Sequence, residues 1–333
     1  MPQRKRSEPM PVKFWSRAGL ILTYWCNARC ASCYLCCSPD RGQKMTVEFA
    51  LAVWRGLTEA SPHGCRVHLT GGEPFGDWPR LLELCRLAGR QGLGPPEKIE
   101  TNAFWATDRK VVRQRLAALD AAGMGKLVIS ADPYHQQFVP IEQCRLTVRL
   151  AEEVLGADRV QVRWRDWLAD GFDTAGLSNA ERAVLFARTA AVGRERLNGR
   201  AAELLAGTLP CKPAVNFADS PCRDALLRSR HVHIDGAGRI MPGTCAGIVV
   251  GLADGGCIDR VWRRLDADYA ERPVLGTLVD RGPVGLLAKA KAIGFVARPG
   301  YAGKCHLCWD IRRFLVRKGA TGQELGPDWL YGE

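Results

Sequence analysis

The stretch Gly19-Leu-Ile-Leu-Thr-Tyr-Trp-Cys26-Asn-Ala-Arg-Cys30-Ala-Ser-Cys33 decides how the chain is read. Its first five residues form an apolar, strand-like run, and a Cys-x3-Cys-x2-Cys triplet follows at once. Working outward, similar runs recur at 66–70, 98–101, 126–130 and 159–163. Amphipathic stretches with helical spacing separate them, at 46–60, 78–91, 108–123 and 141–155. Thr46 suits a helix start, because its hydroxyl accepts from an orphan amide and Glu48 favours the first turn. Strands alternating with helices imply βαβ units and a parallel sheet. Five or six right-handed units give an open sheet or a barrel, and ligands then gather at the carboxyl ends of the strands.

Past residue 171 the pattern becomes helical and polar, and sequence rich in Pro, Gly and Cys begins at Leu209. Residues 231–235, a turn at 236–238, and 239–241 read as a β-hairpin. A boundary near residue 210 follows. The expected organisation is a basic extension over 1–16, a first domain over 17–210 and a second over 211–333. The roughly 18 residues before the first strand leave no room for a fused leader-peptide-binding domain.

The 333 residues are 47% hydrophobic and 25% charged, which suits a folded chain and excludes a disordered one. A chain of this length does not need disulfides to fold, so fourteen cysteines are an excess that asks for chemistry. No apolar stretch follows the basic start MPQRKRSEP, and residues 246–253 are too few to span a bilayer. A cytoplasmic protein is expected, whose cysteines bind metal or catalyse. The net charge of +12 permits an anionic partner. The basic residues are scattered, however, and a nucleic-acid partner is not expected.

Three thiolates on one loop can converge on three corners of an iron–sulfur cube and leave the fourth iron open for substrate chemistry. Zinc, with Cys36 or Cys37 as a fourth ligand, and a redox thiol pair are the competing readings. Leu69-Thr70-Gly71-Gly72-Glu73-Pro74 follows the second strand. Its two glycines admit a close backbone approach, and Glu73 offers an acceptor. With these two motifs in order, the region 17–165 resembles the radical SAM superfamily. The resemblance implies an α/β fold, a partial (β/α)6 TIM-like barrel. It further implies a [4Fe–4S] cluster on Cys26, Cys30 and Cys33 that chelates S-adenosylmethionine (SAM). Gly71, Gly72, Glu73 and Pro74 would hold the methionyl amine. Polar residues at the next strand ends (Asn102, Ser130, Asp132 and Arg163) would contact its ribose and carboxylate. The family often has an aromatic residue where Ser32 stands here; Tyr34 and Trp25 flank the loop instead.

The C-terminal region carries Cys211, Cys222, Cys245, Cys257, Cys305 and Cys308, the last two as a Cys-x2-Cys knuckle. A Cys before a hairpin, one after it and a later knuckle resemble the twitch domain, the short form of the SPASM domain. That implies a small β-hairpin and helical domain with a second [4Fe–4S] cluster on Cys222, Cys245, Cys305 and Cys308, with Cys211 as the alternative to Cys222. For direct roles in catalysis, His135, Cys37 and Cys257 are the candidates, as a proton carrier or hydrogen-atom donors. His231 and His233 share a face by period two and read as residues for packing or solvent contact.

The implied activity is reductive cleavage of SAM to a 5′-deoxyadenosyl radical, which abstracts hydrogen from substrate. The electron would come from an external donor such as flavodoxin or ferredoxin. The expected reaction is oxidation or modification of a peptide or protein, with a separate peptide-recognition protein as a possible partner. Two alternatives stand beside it: dehydrogenation or rearrangement of a small carbohydrate or nucleotide-linked metabolite, and a non-enzymatic zinc or iron–sulfur protein that binds nucleic acid.

Overall fold

The computed structural model describes residues 11–320 and 322–332. Most of the basic extension, residues 1–10, lies outside the described residues. Five strands alternate with four helices over the first half: β1 (Arg17–Ile21), α1 (Val47–Ala60), β2 (Arg66–Thr70), α2 (Trp78–Arg90), β3 (Lys98–Thr101), α3 (Arg109–Ala121), β4 (Lys126–Ile129), α4 (Ile141–Leu155) and β5 (Val160–Val162). Local chemistry sets the helix starts. The Thr46 hydroxyl accepts from the Phe49 amide, and the Asp108 carboxylate from the Val111 amide. Gly156, at φ +88°, ends α4.

The chain continues through α5 (Arg165–Asp170), α6 (Asn179–Ala191) and α7 (Arg200–Leu204) to the hairpin β6 (His231–Asp235) and β7 (Arg239–Pro242). Then come β8 (Gly251–Leu252), α8 (Ile258–Asp268), α9 (Leu275–Ala292) and α10 (Lys304–Arg317). The Cys-x2-Cys knuckle opens α10.

One eight-stranded sheet, in the order β5-β4-β3-β2-β1-β6-β7-β8, contains every strand. The first six in that order are parallel; β7 and β8 are antiparallel additions. Each of β2 to β5 lies beside its predecessor. Right-handed crossovers running in one direction must place their helices on one face. Accordingly α1 packs on α2, α2 on α3 and α3 on α4. This is the winding of a barrel segment, not of a doubly wound sheet, which needs helices on both faces. The α/β, barrel-like class expected from the sequence is the one observed.

The opposite face is polar. Register sets Gly19 of β1 level with His68 of β2 and His233 of β6. Thr70 lies two residues on from His68, and pairing carries the same face to Glu100 of β3 and Gln161 of β5. The sixth parallel strand is thus the first strand of the C-terminal hairpin. It pairs with β1 along all five residues, so the sheet runs without a break from the N-terminal to the C-terminal region. The expected strand 19–23 sits two residues early, at Arg17–Ile21. The reason is that the chain leaves the sheet after Ile21: Leu22 still donates to Thr70 but accepts from Met45 on the returning loop.

Candidate active site

The cysteine loop rises from the carboxyl end of β1. Its backbone is pinned by the Cys26 amide to the Ser38 carbonyl and by a bridge between Trp25 and Ser38. The turn after β2 packs directly on this loop. The Gly72 amide donates to the Thr23 carbonyl (2.7 Å) and the Glu73 amide to the Trp25 carbonyl (2.9 Å). A Cβ on Gly72 would lie 2.0 Å from the Trp25 carbonyl oxygen, so only glycine lets the two loops approach this closely.

A cavity of about 540 Å³ opens over the carboxyl ends of the strands. Cys26, Cys30 and Cys33 line it, with Gly71, Gly72, Asn102, Ser130, Asp132, His135 and Arg163. Cys37 and Tyr34 also reach its wall, whereas Trp25 packs edge-on against Phe104. Glu73 and Pro74 do not line it. The Glu73 carboxylate is fully buried and accepts from the Thr101 hydroxyl (2.9 Å), the Asn102 amide (2.7 Å) and the Phe75 amide (3.1 Å). Burial raises its pKa to about 7 against these hydrogen bonds. Here the glutamate braces two loops, and it is the glycine backbone that faces the cavity.

The Asn102 amide group donates to Asn27 Oδ1 (2.8 Å) and lies 3.6 Å from Cys26 Sγ. Asp132 Oδ1 accepts from the Tyr134 and His135 amides, and Oδ2 meets His135 Nδ1 at 2.7 Å. Burial lowers the His135 pKa, but the Asp132 and Cys30 charges outweigh it and hold the ring well above its ordinary value. Arg163 follows β5 and is exposed to the cavity. Cys257 is exposed at the start of α8 and does not line the cavity.

The spacing of the sulfurs bears on the single-ion reading. In a tetrahedral thiolate site with Zn–S near 2.3 Å, sulfurs lie about 3.8 Å apart. Among the described residues, no three cysteine sulfurs come within 4.8 Å of one another. Hydrogen bonding from Cys37 lowers the Cys33 pKa to about 6, with help from the Arg200 charge. Burial and the nearby Glu73 hold Cys26 well above its ordinary value, so its thiolate needs a positive centre.

Cys222, Cys245, Cys305 and Cys308 lie near enough to act on one another electrostatically. Burial raises Cys222 to about 12 and Cys308 to about 11, and the neighbouring cysteines in this set push both further up. Cys211 is exposed, and its thiol donates to the Leu209 carbonyl. Cys222 thus lies within electrostatic reach of the other three.

Sequence reading missed the segment between α6 and α7. Arg194, Glu195 and Arg196 line the cavity, and Arg196 Nη1 lies 3.5 Å from Cys245 Sγ. Glu195 Oε2 is buried without a hydrogen-bond partner, and burial raises its pKa. Arg200 donates from its guanidinium to the Cys30 and Cys37 carbonyls, and from its amide to the Cys33 carbonyl. No motif marks these residues; only the folded path brings them to the cysteine loop.

No family model matches the chain. It is 30% identical over 119 residues to the "Putative peptide biosynthesis protein YydG" of Bacillus subtilis (strain 168), a match covering 34% of this chain and 35% of that protein. The match thus spans about a third of the relative's length. Among solved structures, the chain is similar to BtrN in complex with AdoMet and 2-DOIA, at 16% identity and TM-score 0.49, over 82% of this chain and 90% of that one. It is similar to Streptococcus suis SuiB bound to S-adenosylmethionine at 14% identity and TM-score 0.30, over 69% and 60%. These values are too low to carry the fold assignment, which rests on the strand order above. Among the described residues, no helix is long and apolar enough to cross a membrane.

Proposed function

We propose that the chain is a radical SAM enzyme of the twitch type that oxidises or otherwise modifies a peptide. Residues 17–210 form its SAM-binding part and 211–333 its auxiliary-cluster part, built on one shared sheet. A single observation carries this reading: Cys26, Cys30 and Cys33 line one cavity with Gly71 and Gly72, at the carboxyl ends of parallel strands. When bound there, a [4Fe–4S] cluster and SAM supply a 5′-deoxyadenosyl radical that takes hydrogen from a substrate carbon. The three cysteines hold the cluster. The Gly71-Gly72 backbone and Ser130 position the methionyl part of SAM, and Arg163 faces its carboxylate. Asn102 orients the cysteine loop through Asn27. Asp132 fixes the ring of His135 against Cys30.

Cys222, Cys245, Cys305 and Cys308 would hold a second cluster, which would supply an electron acceptor and so make the net reaction an oxidation. Glu195 stands on the cavity wall as the group that takes the proton the oxidised carbon releases. Cys37 lies close enough to the cavity to act as a hydrogen donor; Cys257 does not. The working setting is the cytoplasm, with a flavodoxin or ferredoxin as electron donor and a separate protein to present the peptide. The match to a relative named for peptide biosynthesis supports the peptide. Arg163, Arg194 and Arg196 on the wall favour a second reading, a small anionic metabolite.

The deciding experiment is anaerobic reconstitution with iron and sulfide, followed by dithionite and SAM. The expected product is 5′-deoxyadenosine, lost in Cys30→Ala. A fully loaded protein that forms none is not a radical SAM enzyme. A protein that takes up zinc and no iron belongs to the binding-protein alternative.

A further inference from the structure

Three imidazoles converge on the polar face of the sheet, on the amino-terminal side of the cysteine-lined cavity. The ligand-capable nitrogens of His68, His231 and His233 all lie within 4.8 Å of one another. His68 comes from β2, and the other two from β6. The strand between them, β1, contributes Gly19, level with both His68 and His233. A Cβ at Gly19 would stand 2.6 Å from His68 Nε2 and 2.8 Å from His233 Nε2. A glycine in a central strand weakens it unless something needs the space. Here the space is where two ring nitrogens point.

The third ring supplies an independent sign. His231 Nε2 is buried and has no hydrogen-bond partner. A buried nitrogen without a partner is costly and calls for an explanation. His233 is also oriented as a ligand should be: its Nδ1 donates to the Gly243 carbonyl at 2.5 Å. That bond fixes the tautomer and leaves Nε2 as a lone pair facing the group. Metal-bound histidines characteristically make this outer contact to a carbonyl or carboxylate. The charges facing the three rings are compensated in part, since Lys98 is paired with Glu100 at 2.7 Å. Arg17, the other cation near His231, lies 4.0 Å from Glu97.

We propose that His68, His231 and His233 form a mononuclear site for a divalent transition-metal ion, of which zinc is the best fit. Three imidazoles leave the fourth tetrahedral position to water. The ion joins β6 to β2 across β1 and so clamps the hairpin to the sheet. The proposal stands on these residues and does not depend on the radical SAM reading.

The test uses the full-length chain with its iron–sulfur sites loaded, one equivalent of zinc, and X-ray absorption at the zinc edge. The expected shell is imidazole nitrogen at about 2.0–2.1 Å, without sulfur at about 2.3 Å. Zinc per chain should fall from one to near none in His68→Gln and in His231→Gln. Zinc should also raise the melting temperature of the wild type and not of these variants. A sulfur shell, or no zinc retained after gel filtration, overturns the proposal. So does zinc content unchanged in both variants. The absorption measurement on the wild type decides even where a variant fails to fold.

Discussion

Arg200 is a buried cation that donates to carbonyl oxygens of the cysteine loop. It binds the Cys30 and Cys37 carbonyls through its guanidinium and the Cys33 carbonyl through its amide. Hydrogen bonds from a charged group contribute about 1.5–3 kcal/mol each. Arg200→Met removes two of them, and it should release iron to a chelator several-fold faster while SAM contacts elsewhere stay in place; an unchanged release rate would show the clasp is dispensable. Glu73 carries a different prediction. Its folded pKa of about 7 exceeds the ordinary 4.5. As pH rises from 4.5 to 7, the unfolded chain gives up its proton first, so stability falls, by about 1.4 kcal/mol for each pH unit crossed. Glu73→Gln should lack that slope. Urea midpoints at pH 5 and pH 7.5, compared between wild type and variant, measure it. The residue itself was legible in Gly-Gly-Glu-Pro. Its inward turn was not, because three donors from β3 and its own turn claim the carboxylate, and sequence does not reveal them.

At the scale of elements, helices read well because their period and caps are local. Thr46 and Asp108 cap α1 and α3 where capping chemistry places them. The first strand read two residues late, since its apolar run continues into the loop that carries the cysteines. Gly71 and Gly72 join two such loops. Gly72→Ala drives a Cβ into the Trp25 carbonyl, and it should abolish SAM binding by equilibrium dialysis while leaving the far-UV circular dichroism of the helices intact. Retained binding would mean that the loops separate without harm. The histidines mark the opposite limit. His231 and His233 share a face by period two, but His68 stands on another strand, and nothing in the sequence says that only Gly19 lies between them.

Across the whole molecule, the two cysteine sets share one structural body. Residues near 210 separate them in sequence, but β6 lies between β1 and β7 in the sheet. A fragment ending at 210 loses the neighbour of β1 and exposes a strand edge. It should aggregate or fail to unfold cooperatively, whereas the full chain should melt in one transition by calorimetry. A soluble, cooperative fragment would show that the hairpin is accessory. The expected division at 210 came from composition, which registers a change of chemistry; strand pairing across that distance leaves no trace in composition.

The pairing of β1 with β6 also constrains the order of events during synthesis. The strand that launches Cys26 has only β2 beside it until the ribosome has passed His231. Contacts so distant in sequence close late. Iron delivered early would meet a loop whose Arg200 clasp and β6 neighbour are still missing. If the cysteines hold a cluster as proposed, its insertion should follow the pairing of β6, and ribosome-bound chains stopped before residue 231 should carry no iron when isolated anaerobically. Iron on such stalled chains would show that the cysteine loop matures by itself.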